Sequence, residues 1–281
     1  MKIAGLVIVY HPDIHKLCEN ITTYVKGLDL LYIYDNTESE ITGLNEALSK
    51  LDTRIQYRYF NSNEGIASRL NTAVKETIEK KYDYLLTMDQ DSSFKPGDFD
   101  KYKSFIQATT YKNVVQFGVN CQPNFTPPNE QPEEVLTLIT SGTILNLSII
   151  NNIGVFNEDL YIDFVDAEFS YRVVQKGYVN LMFTNLVLNH SLGTLIQGRS
   201  LVTFKKSLRI THAPIRVYYI IRNGLYLLFK SKGMNAMMRK DVLRCIKILK
   251  NDLIYNPKLG QVYSNLFLGI LAFLTNKMGK K

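Results

Sequence analysis

Residues 82–92 read YDYLLTMDQDS, an apolar run that ends abruptly in two carboxylates, Asp89 and Asp91. A short, almost continuously apolar run predicts a strand that is buried on both faces of a parallel sheet. Side chains at positions i and i+2 of an extended backbone point the same way, so the two aspartates can converge on one hard cation. Mg²⁺ and Mn²⁺ are the expected ions, because Mg²⁺ is commonly held by one or two carboxylates together with substrate phosphates. The alternative is a turn in which the aspartates only bend the chain.

Similar apolar runs lie on either side of this one. They are IAGLVIVY at 3–10, LLYIYDN at 30–36, RIQYRYF at 54–60 and NVVQFGV at 113–119. Helical patterns cover residues 14–26 and 65–80, between these runs. Such alternation predicts an α/β fold, a Rossmann-like and mostly parallel sheet with helices on both faces, whose ligands bind at the carboxyl ends of the strands.

The second half of the chain changes character. Residues 122–134 form a Pro- and Asn-rich loop, residues 136–146 resume strand character, and residues 163–177 are predicted as a helix. From about residue 200 onward the pattern is helical. The expected organisation is a nucleotide-sugar-binding and catalytic domain at 1–200, followed by a helical, basic and amphipathic C-terminal appendage at 201–281.

Charge is distributed unevenly. The net charge is +7, yet residues 199–281 hold 17 Lys and Arg against two acids, Asp241 and Asp252. Apolar residues recur at helical spacing over 259–274, and lysines close the chain. A basic, amphipathic segment of this kind favours peripheral contact with an anionic membrane. The alternative is a helix that packs on its own domain with solvated lysines around it.

The cysteine content and the length of the apolar stretches indicate the cellular location of the protein and the kinds of site it can hold. Three cysteines without a CxxC pair argue against a disulfide framework and a thiolate zinc site, as expected in a reducing cytosol. The apolar N-terminal run has no cleavage site, and the longest apolar stretch, 266–274, is shorter than the ~20 residues of a spanning helix. We therefore expect a cytoplasmic protein at the inner face of the cell membrane.

Polar motifs also follow the second and third predicted strands. Asp35 ends the second strand, where a carboxylate can accept an N–H of a pyrimidine base. The segment NSNEGIASRLN at 61–71 opens a helix, whose N-terminus favours phosphate, and Gly65 permits close backbone approach. Asn63 is either part of this pocket or only the N-cap of the helix.

A further polar face is predicted on the helix that follows His212. His212, Arg216, Tyr219 and Asn223 fall on one side at helical spacing, and Arg222 lies beside them. Because arginine pairs with phosphate oxygens in a bidentate manner, Arg216 and Arg222 are candidates to bind a donor diphosphate. A merely solvated face is the alternative.

The ordered series VIVYHPD, YDN, NEGIASRLN, DQDS, SGT and FVDAEFSYRVVQKGY resembles the inverting family 2 glycosyltransferases of the GT-A fold, and most closely their bacterial rhamnosyltransferase branch. The resemblance spans roughly residues 3–224. It implies that Val9, Tyr10 and Asp35 hold the base, and that Asn63 and Gly65 line the nucleotide pocket. Asp89 and Asp91 would bind ribose, diphosphate and metal, and His190 would be a further metal ligand. His190 could instead be a core or turn histidine.

The resemblance also implies that Asp166 is the general base. Three carboxylates, Asp163, Asp166 and Glu168, compete in this segment. Glu168 and Arg172 form a favoured i, i+4 pair, and Asp163 is well placed to cap the helix, which leaves Asp166 to face an acceptor hydroxyl. The reverse assignment, with Asp163 as the base, stays open, and Val165 replaces the glutamate that commonly precedes the base in the family.

The resemblance therefore implies an inverting glycosyltransferase that uses dTDP-L-rhamnose and extends a glycan or lipid-linked precursor of a cell-surface polysaccharide. A UDP-hexose or UDP-galactofuranose donor is the main alternative. A nucleotidyltransferase would need a glycine-rich basic loop after the first strand, and VIVYHPD offers none. A nucleic-acid-binding protein would leave the acidic DQD cluster unexplained, so we expect no nucleic acid partner.

Overall fold

The computed structural model describes residues 1–121, 126–190, 194–199 and 206–281. The chain divides into two compact units. The first contains Met1–Asn157 and Phe169–Ser191, and the second contains Glu158–Glu168 and Leu192–Lys281. The division thus falls a few residues before the predicted boundary at 200, and the short segment Glu158–Glu168 groups with the C-terminal residues.

The first unit contains a mixed sheet of nine strands within the described residues. The strands are β1 Ile3–Val9, β2 Leu30–Asp35, β3 Ile55–Tyr59, β4 Tyr84–Asp89, β5 Ser93–Phe94, β6 Val114–Asn120, β7 Glu133–Glu134, β8 Thr143–Asn146 and β9 Val179–Asn189. Their order is β3-β2-β1-β4-β8-β6-β9-β5, and β7 pairs with β9. β3, β2, β1 and β4 are mutually parallel, and β8 runs antiparallel between β4 and β6. The predicted α/β fold with a mostly parallel sheet is confirmed.

The strand register places the functional motifs at one edge of the sheet. Val9 is level with Asp35, and Ile8 is level with Asp89, the last residue of β4. Because these strands are parallel, their carboxyl ends meet at the same edge. β1 and β2 are buried along almost their whole length, which explains why their sequences are nearly continuously apolar.

Helices α1 Ile14–Thr22, α2 Leu44–Leu51, α3 Gly65–Glu79, α4 Asp98–Ala108 and α5 Ile150–Ile153 belong to the first unit. α1 begins after Asp13, whose carboxylate accepts the Lys16 N–H, and a separate 3-10 turn covers Val25–Gly27. A further helix, α6 Val165–Gln175, starts two residues later than predicted. Asp163 and Phe164 both have φ of 63°, which is outside the helical region.

In the part of the second unit that the structure describes, β10 Thr194–Arg199 pairs antiparallel with β11 Lys206–Thr211. Four α-helices follow, α7 Pro214–Phe229, α8 Ala236–Ile248, α9 Lys250–Tyr255 and α10 Leu259–Leu274. The prediction of helix from residue 200 was wrong for 206–211. The helices begin only at Pro214, whose fixed φ suits a first helical position.

α7 and α10 pack closely because a glycine lies at their contact. A β-carbon on Gly269 would come within 2.7 Å of the Tyr218 carbonyl oxygen and 2.3 Å of an Ile221 methyl carbon. Within the described residues, every helix is too short or too polar to cross a bilayer.

Candidate functional site

Two aspartates and one histidine converge beyond the end of β4. Asp89 and Asp91 flank the turn that follows this strand, and His190 follows β9. β5 pairs with the end of β9, with Ser93 opposite Asn189, and this pairing brings His190 beside the aspartates. One ligand atom from each of the three residues lies within 4.8 Å of the other two. The predicted grouping of Asp89, Asp91 and His190 is thus present as a candidate metal site.

The three side chains differ in exposure. The His190 imidazole is only 9% exposed, and its Nδ1 lies 3.8 Å from Asp89 Oδ2 and 3.6 Å from Asp91 Oδ1. The two carboxylates are 46% and 47% exposed. A fixed imidazole beside two accessible carboxylates leaves room for solvent or phosphate oxygens on the open side of an ion.

A chain of serine hydroxyls holds the imidazole. Ser141 Oγ accepts the Asp89 backbone N–H at 3.1 Å and donates to Ser92 Oγ at 2.8 Å. Ser92 Oγ lies 2.9 Å from His190 Nδ1, and both serines are buried. Sequence reasoning identified SGT at 141–143 only as part of the resemblance, and gave Ser92 no role. Ser92 contacts Nδ1, the ring nitrogen that also faces both carboxylates, so this contact holds the imidazole beside them in the absence of an ion.

The interaction between His190 and the two aspartates shifts the pKa values of His190 and Asp91 in opposite directions. The nearby Asp91 carboxylate raises the pKa of His190 above its ordinary value, although burial opposes this, and Asp89 adds to the effect. Interaction with His190 in turn lowers the pKa of Asp91 against the opposing effect of partial burial. Both carboxylates and one imidazole nitrogen are ligands that suit Mn²⁺, and the carboxylates suit Mg²⁺. The donor set therefore fits the predicted divalent ion.

Gln90, between the two aspartates, joins the turn to the end of β1. Its Oε1 accepts the Tyr10 N–H at 2.8 Å, and its Nε2 donates to the Tyr10 carbonyl oxygen at 3.2 Å. Asn20 of α1 donates to the Gln90 carbonyl oxygen at 3.1 Å. Tyr10 itself is 45% exposed, whereas Val9 is fully buried. These bonds couple the position of Tyr10 to that of the acidic turn.

Asp35 is fully buried at the end of β2. Its Oδ1 accepts the Thr37 N–H at 2.9 Å, and its Oδ2 accepts the Tyr57 hydroxyl at 2.8 Å. Burial and the hydrogen bond to Asp35 raise the pKa of Tyr57, so the hydroxyl stays a donor. A carboxylate oxygen has more than one acceptor direction, so these bonds leave capacity for a further donor.

The segment after β3 is organised by Asn36, Asn63 and Arg69. Asn63 Oδ1 accepts the Gly65 N–H at 3.1 Å and the Asn36 amide at 2.9 Å. Arg69 is buried, with Nε donating to Asn36 Oδ1 at 2.9 Å and the guanidinium 3.8 Å from the centre of the Phe60 ring. Asn63 forms an Asx turn, and Glu64 occupies the N-cap position instead. The sequence did not predict a structural role for Arg69, because its partner Asn36 follows β2 and is distant in the sequence.

In the second unit, Asp163 pairs with Arg216. Arg216 Nε donates to Asp163 Oδ2 at 3.2 Å, and Nη2 donates to Oδ1. The expectation that Asp163 caps α6 was wrong, because its backbone has positive φ and its carboxylate is bound to the guanidinium. Asp166 lies in the first turn of α6, as predicted, and its Oδ1 accepts the Ala167 N–H at 2.8 Å.

Arg222 and Asn223 are fully buried. Arg222 Nη1 donates to the Gly279 carbonyl oxygen at 2.6 Å, and Nη2 donates to the carbonyl oxygens of Asp159 and Leu160, each at 3.1 Å. The alternative of a solvated face therefore does not hold for these two positions. Diphosphate binding by Arg222 would require it to give up bonds to the backbone, and this role stays a prediction.

A cavity of about 560 Å³ lies at the opposite end of the sheet from the acidic turn. It is lined by Met1, Tyr84 at the start of β4, and Asn146 at the end of the antiparallel β8, among others. Because ligands of such sheets bind at the carboxyl ends of the parallel strands, we assign it no part in the chemistry.

Sequence and structure comparisons identify the family of this chain. The model of glycosyl transferase family 2 matches residues 14–160, slightly more than half of the chain, and the chain belongs to this family. It is therefore a glycosyltransferase with the GT-A fold. The nucleotidyltransferase and nucleic-acid-binding alternatives are thereby set aside as the activity of this chain.

The individual proteins to which this chain is similar share less than a quarter of its residues in the aligned regions. The chain is 23% identical over 254 residues to the dTDP-rhamnosyl transferase RfbF of Shigella flexneri, covering 82% of this chain and 81% of that one. Its fold is similar to the mannosyltransferase PcManGT of Pyrobaculum calidifontis in complex with GDP-Man and Mn²⁺, with a TM-score of 0.60, 12% identity, and coverage of 96% and 75%. It is also similar to S. aureus TarS 1-349 in complex with UDP-GlcNAc, with a TM-score of 0.55, 16% identity, and coverage of 97% and 82%.

Proposed function

We propose that this glycosyltransferase transfers L-rhamnose from dTDP-L-rhamnose, with inversion at the anomeric carbon, to a lipid-linked precursor of a cell-surface polysaccharide. The observation that carries nucleotide-sugar transfer is the Asp89–Asp91–His190 cluster at the strand edge that also bears Asp35. The choice of rhamnose rests on similarity to a dTDP-rhamnosyl transferase over most of both chains.

The nucleotide is proposed to lie across the ends of β2, β1 and β4. Asp35 accepts a base N–H there, with Val9 and Tyr10 beside it, and Asn63 and Gly65 line the pocket at the start of α3. Asp89 contacts the ribose or diphosphate as well as the ion. The support for this placement is the strand register, which brings Val9 level with Asp35 and Ile8 level with Asp89.

Asp89, Asp91 and His190 would hold a Mg²⁺ or Mn²⁺ ion, which would supply positive charge to stabilise a departing nucleoside diphosphate. Ser92 and Ser141 keep the imidazole oriented toward the carboxylates, and Gln90 fixes the turn that presents them. Arg216 and Arg222 are proposed to add positive charge near the diphosphate. No covalent sugar intermediate is needed, because inversion takes a single displacement.

Asp166 is proposed as the general base that removes the acceptor hydroxyl proton as the oxygen attacks the anomeric carbon. The arrangement around Asp163 favours this choice over the reverse assignment. Both Asp163 oxygens accept from Arg216, and only 7% of the Asp163 side chain is exposed. A largely buried carboxylate whose two oxygens are both engaged by a guanidinium offers little access to an acceptor hydroxyl.

A donor screen tests the proposed sugar. The purified chain is incubated with Mn²⁺ or Mg²⁺ and with dTDP-rhamnose, UDP-N-acetylglucosamine, UDP-galactofuranose or GDP-mannose, and slow release of each nucleotide is measured. Preferential release of dTDP supports rhamnosyl transfer. Preferential release of UDP would replace the donor with the UDP-hexose or UDP-galactofuranose alternative and leave the reaction class intact.

Three aspartate-to-asparagine variants test the site assignments. Asp91→Asn is expected to abolish metal-dependent donor hydrolysis, whereas Asp166→Asn should abolish transfer and leave dTDP binding nearly unchanged. Asp100→Asn is the matched control, since that carboxylate is 78% exposed on α4 and pairs with Lys103. Full transfer by Asp166→Asn would remove Asp166 from the mechanism, and undiminished turnover with EDTA would remove the metal.

The acceptor is proposed to reach the enzyme at the inner face of the cell membrane, with the protein in peripheral contact with anionic lipid. The basic C-terminal residues support this location. Isolated membrane lipid extracts from a cell that makes such a polysaccharide, incubated with labelled donor, provide the test. Label that enters only the aqueous phase would exclude a lipid-linked acceptor.

A further inference from the structure

Helix α10 exposes a continuous apolar face. Six of its large apolar side chains are between 38% and 66% exposed, and Phe267 and Leu274 are the most exposed of them. Their spacing places them along one side of the helix, because residues three and four apart share a face. The six are Leu259, Tyr263, Phe267, Ile270, Leu271 and Leu274. We call this set the α10 apolar face.

The other side of the same helix is buried within the second unit. Val262, Gly269 and Ala272 are buried, and Gly269 lies directly against the backbone of α7 at Tyr218. The side of the helix with small side chains therefore packs against α7, and the large apolar side chains lie on the opposite, exposed side. An apolar face of this extent is unusual on a soluble monomer unless it meets a partner.

The surroundings of the α10 apolar face are basic. From residue 253 to the end, the chain has four lysines and no acidic residue. Lys258 precedes the first turn, and Lys277 and Lys280 follow the last, all three exposed. Elsewhere in the same unit, helix α8 carries four exposed basic residues against one acid, and it exposes Met237 at 64% and Leu243 at 47%.

We propose that the α10 apolar face is a membrane-docking surface that inserts into the headgroup region of an anionic lipid layer. Exposed Phe, Leu and Ile side chains between lysines are what an interfacial helix presents to such a surface. The helix lies in the plane of the interface, since it is too short to span the bilayer. A nucleic acid partner would use the lysines and leave the apolar side chains in water.

The proposal rests on the membrane location proposed above but not on the identity of the donor sugar, and vesicle binding tests it directly. The full chain is mixed with sedimenting vesicles of phosphatidylglycerol and phosphatidylcholine in equal amounts, or of phosphatidylcholine alone. Binding should be at least about tenfold tighter to the anionic vesicles, because each lysine near such a surface contributes a factor of about five. It should weaken as salt is added.

Two sets of substitutions separate the apolar and charged contributions. Phe267→Ser with Leu274→Ser should weaken binding about 10- to 100-fold, from loss of buried apolar area. Lys277→Ala with Lys280→Ala should weaken it about 10- to 25-fold, and these changes remove no core contact. Val155→Ser is the matched control, because this residue is 54% exposed in the first unit. Donor hydrolysis in detergent-free buffer should stay unchanged in all variants.

Three results would overturn the proposal. The first is absence of vesicle binding by the unsubstituted chain. The second is equal binding to neutral and anionic vesicles, or unchanged binding by the Phe267 and Leu274 variant. The third is a dimer in light scattering that becomes a monomer on the same substitutions without vesicle binding, which would assign the face to a second copy of the chain.

Discussion

Replacement of Arg222 by lysine distinguishes the two roles that the sequence and the structure suggest for this residue. The buried guanidinium donates to Asn223 Oδ1 at 2.9 Å and to three backbone carbonyl oxygens, of Gly279, Asp159 and Leu160. Two of these carbonyls belong to the segment before α6, and the third lies near the end of the chain. Arg222 therefore ties sequence-distant parts of the second unit together.

The size of the effect follows from the geometry. A lysine keeps the charge, but its single ammonium cannot reach all the acceptors that the planar guanidinium spans. The carbonyl oxygens of Asp159 and Leu160 keep other donors, Gly279 N–H and Asn223 Nδ2, so the loss falls on Gly279 O and Asn223 Oδ1. A buried acceptor left without a partner costs about 1–3 kcal/mol. We expect Arg222→Lys to lower the free energy of unfolding by about 3 kcal/mol. At about 2–4 °C for each kcal/mol, the melting temperature should fall by about 6–12 °C.

Thermal denaturation followed by circular dichroism measures this effect, and Arg244→Lys is the control, since Arg244 is exposed on α8. Surface substitutions of this kind usually change stability by less than about 0.5 kcal/mol. Titration calorimetry with dTDP, well below the melting temperature, gives the second reading. An unchanged melting temperature together with weakened dTDP binding would refute the structural role and assign the guanidinium to the diphosphate.

Three further outcomes are expected. Ser92→Ala should tighten Mn²⁺ binding about fivefold in calorimetry, because it removes a hydroxyl that competes with the ion for His190 Nδ1, and weakened affinity would refute that competition. Mn²⁺ affinity should fall as pH is lowered from about 8 to about 5. Asp91 raises the pKa of His190, so the imidazole becomes protonated at a higher pH than an ordinary histidine, and a protonated imidazole cannot bind the ion. A pH-independent affinity would exclude His190 as a ligand. Gly269→Ala should cost about 1–3 kcal/mol in urea denaturation, because the added methyl meets backbone at Tyr218, whereas Gly260→Ala, in open space, should not.

Much of the catalytic fold could be predicted from the sequence. β1, β2 and β4 were identifiable because each is buried on both faces and so is nearly continuously apolar. α2 and α4 were missed, since each has only a short apolar stripe among polar residues. β11 lies in the region predicted as helix, because it is half-exposed and has no apolar run that would indicate a strand. Its pairing with β10 stabilises it as a strand.

The candidate site was predictable in part. The spacing of Asp89 and Asp91 is local, so their convergence follows from backbone geometry alone. The Ser141–Ser92–His190 chain was not predictable from spacing, because Ser92 and His190 are 98 residues apart in the sequence. Only the pairing of β5 with β9 brings them together.

The sequence by itself determined which segments form the buried strands, the family, and the two aspartates that follow β4, because burial on two faces and i, i+2 spacing are evident in neighbouring residues. Only the tertiary structure shows which groups the arginines contact. Arg216 binds Asp163, and Arg222 binds the carbonyl oxygens of residues some sixty positions away. A basic residue on a helical face looks the same in sequence whether it faces water or backbone oxygens, and only the packing around it distinguishes the two.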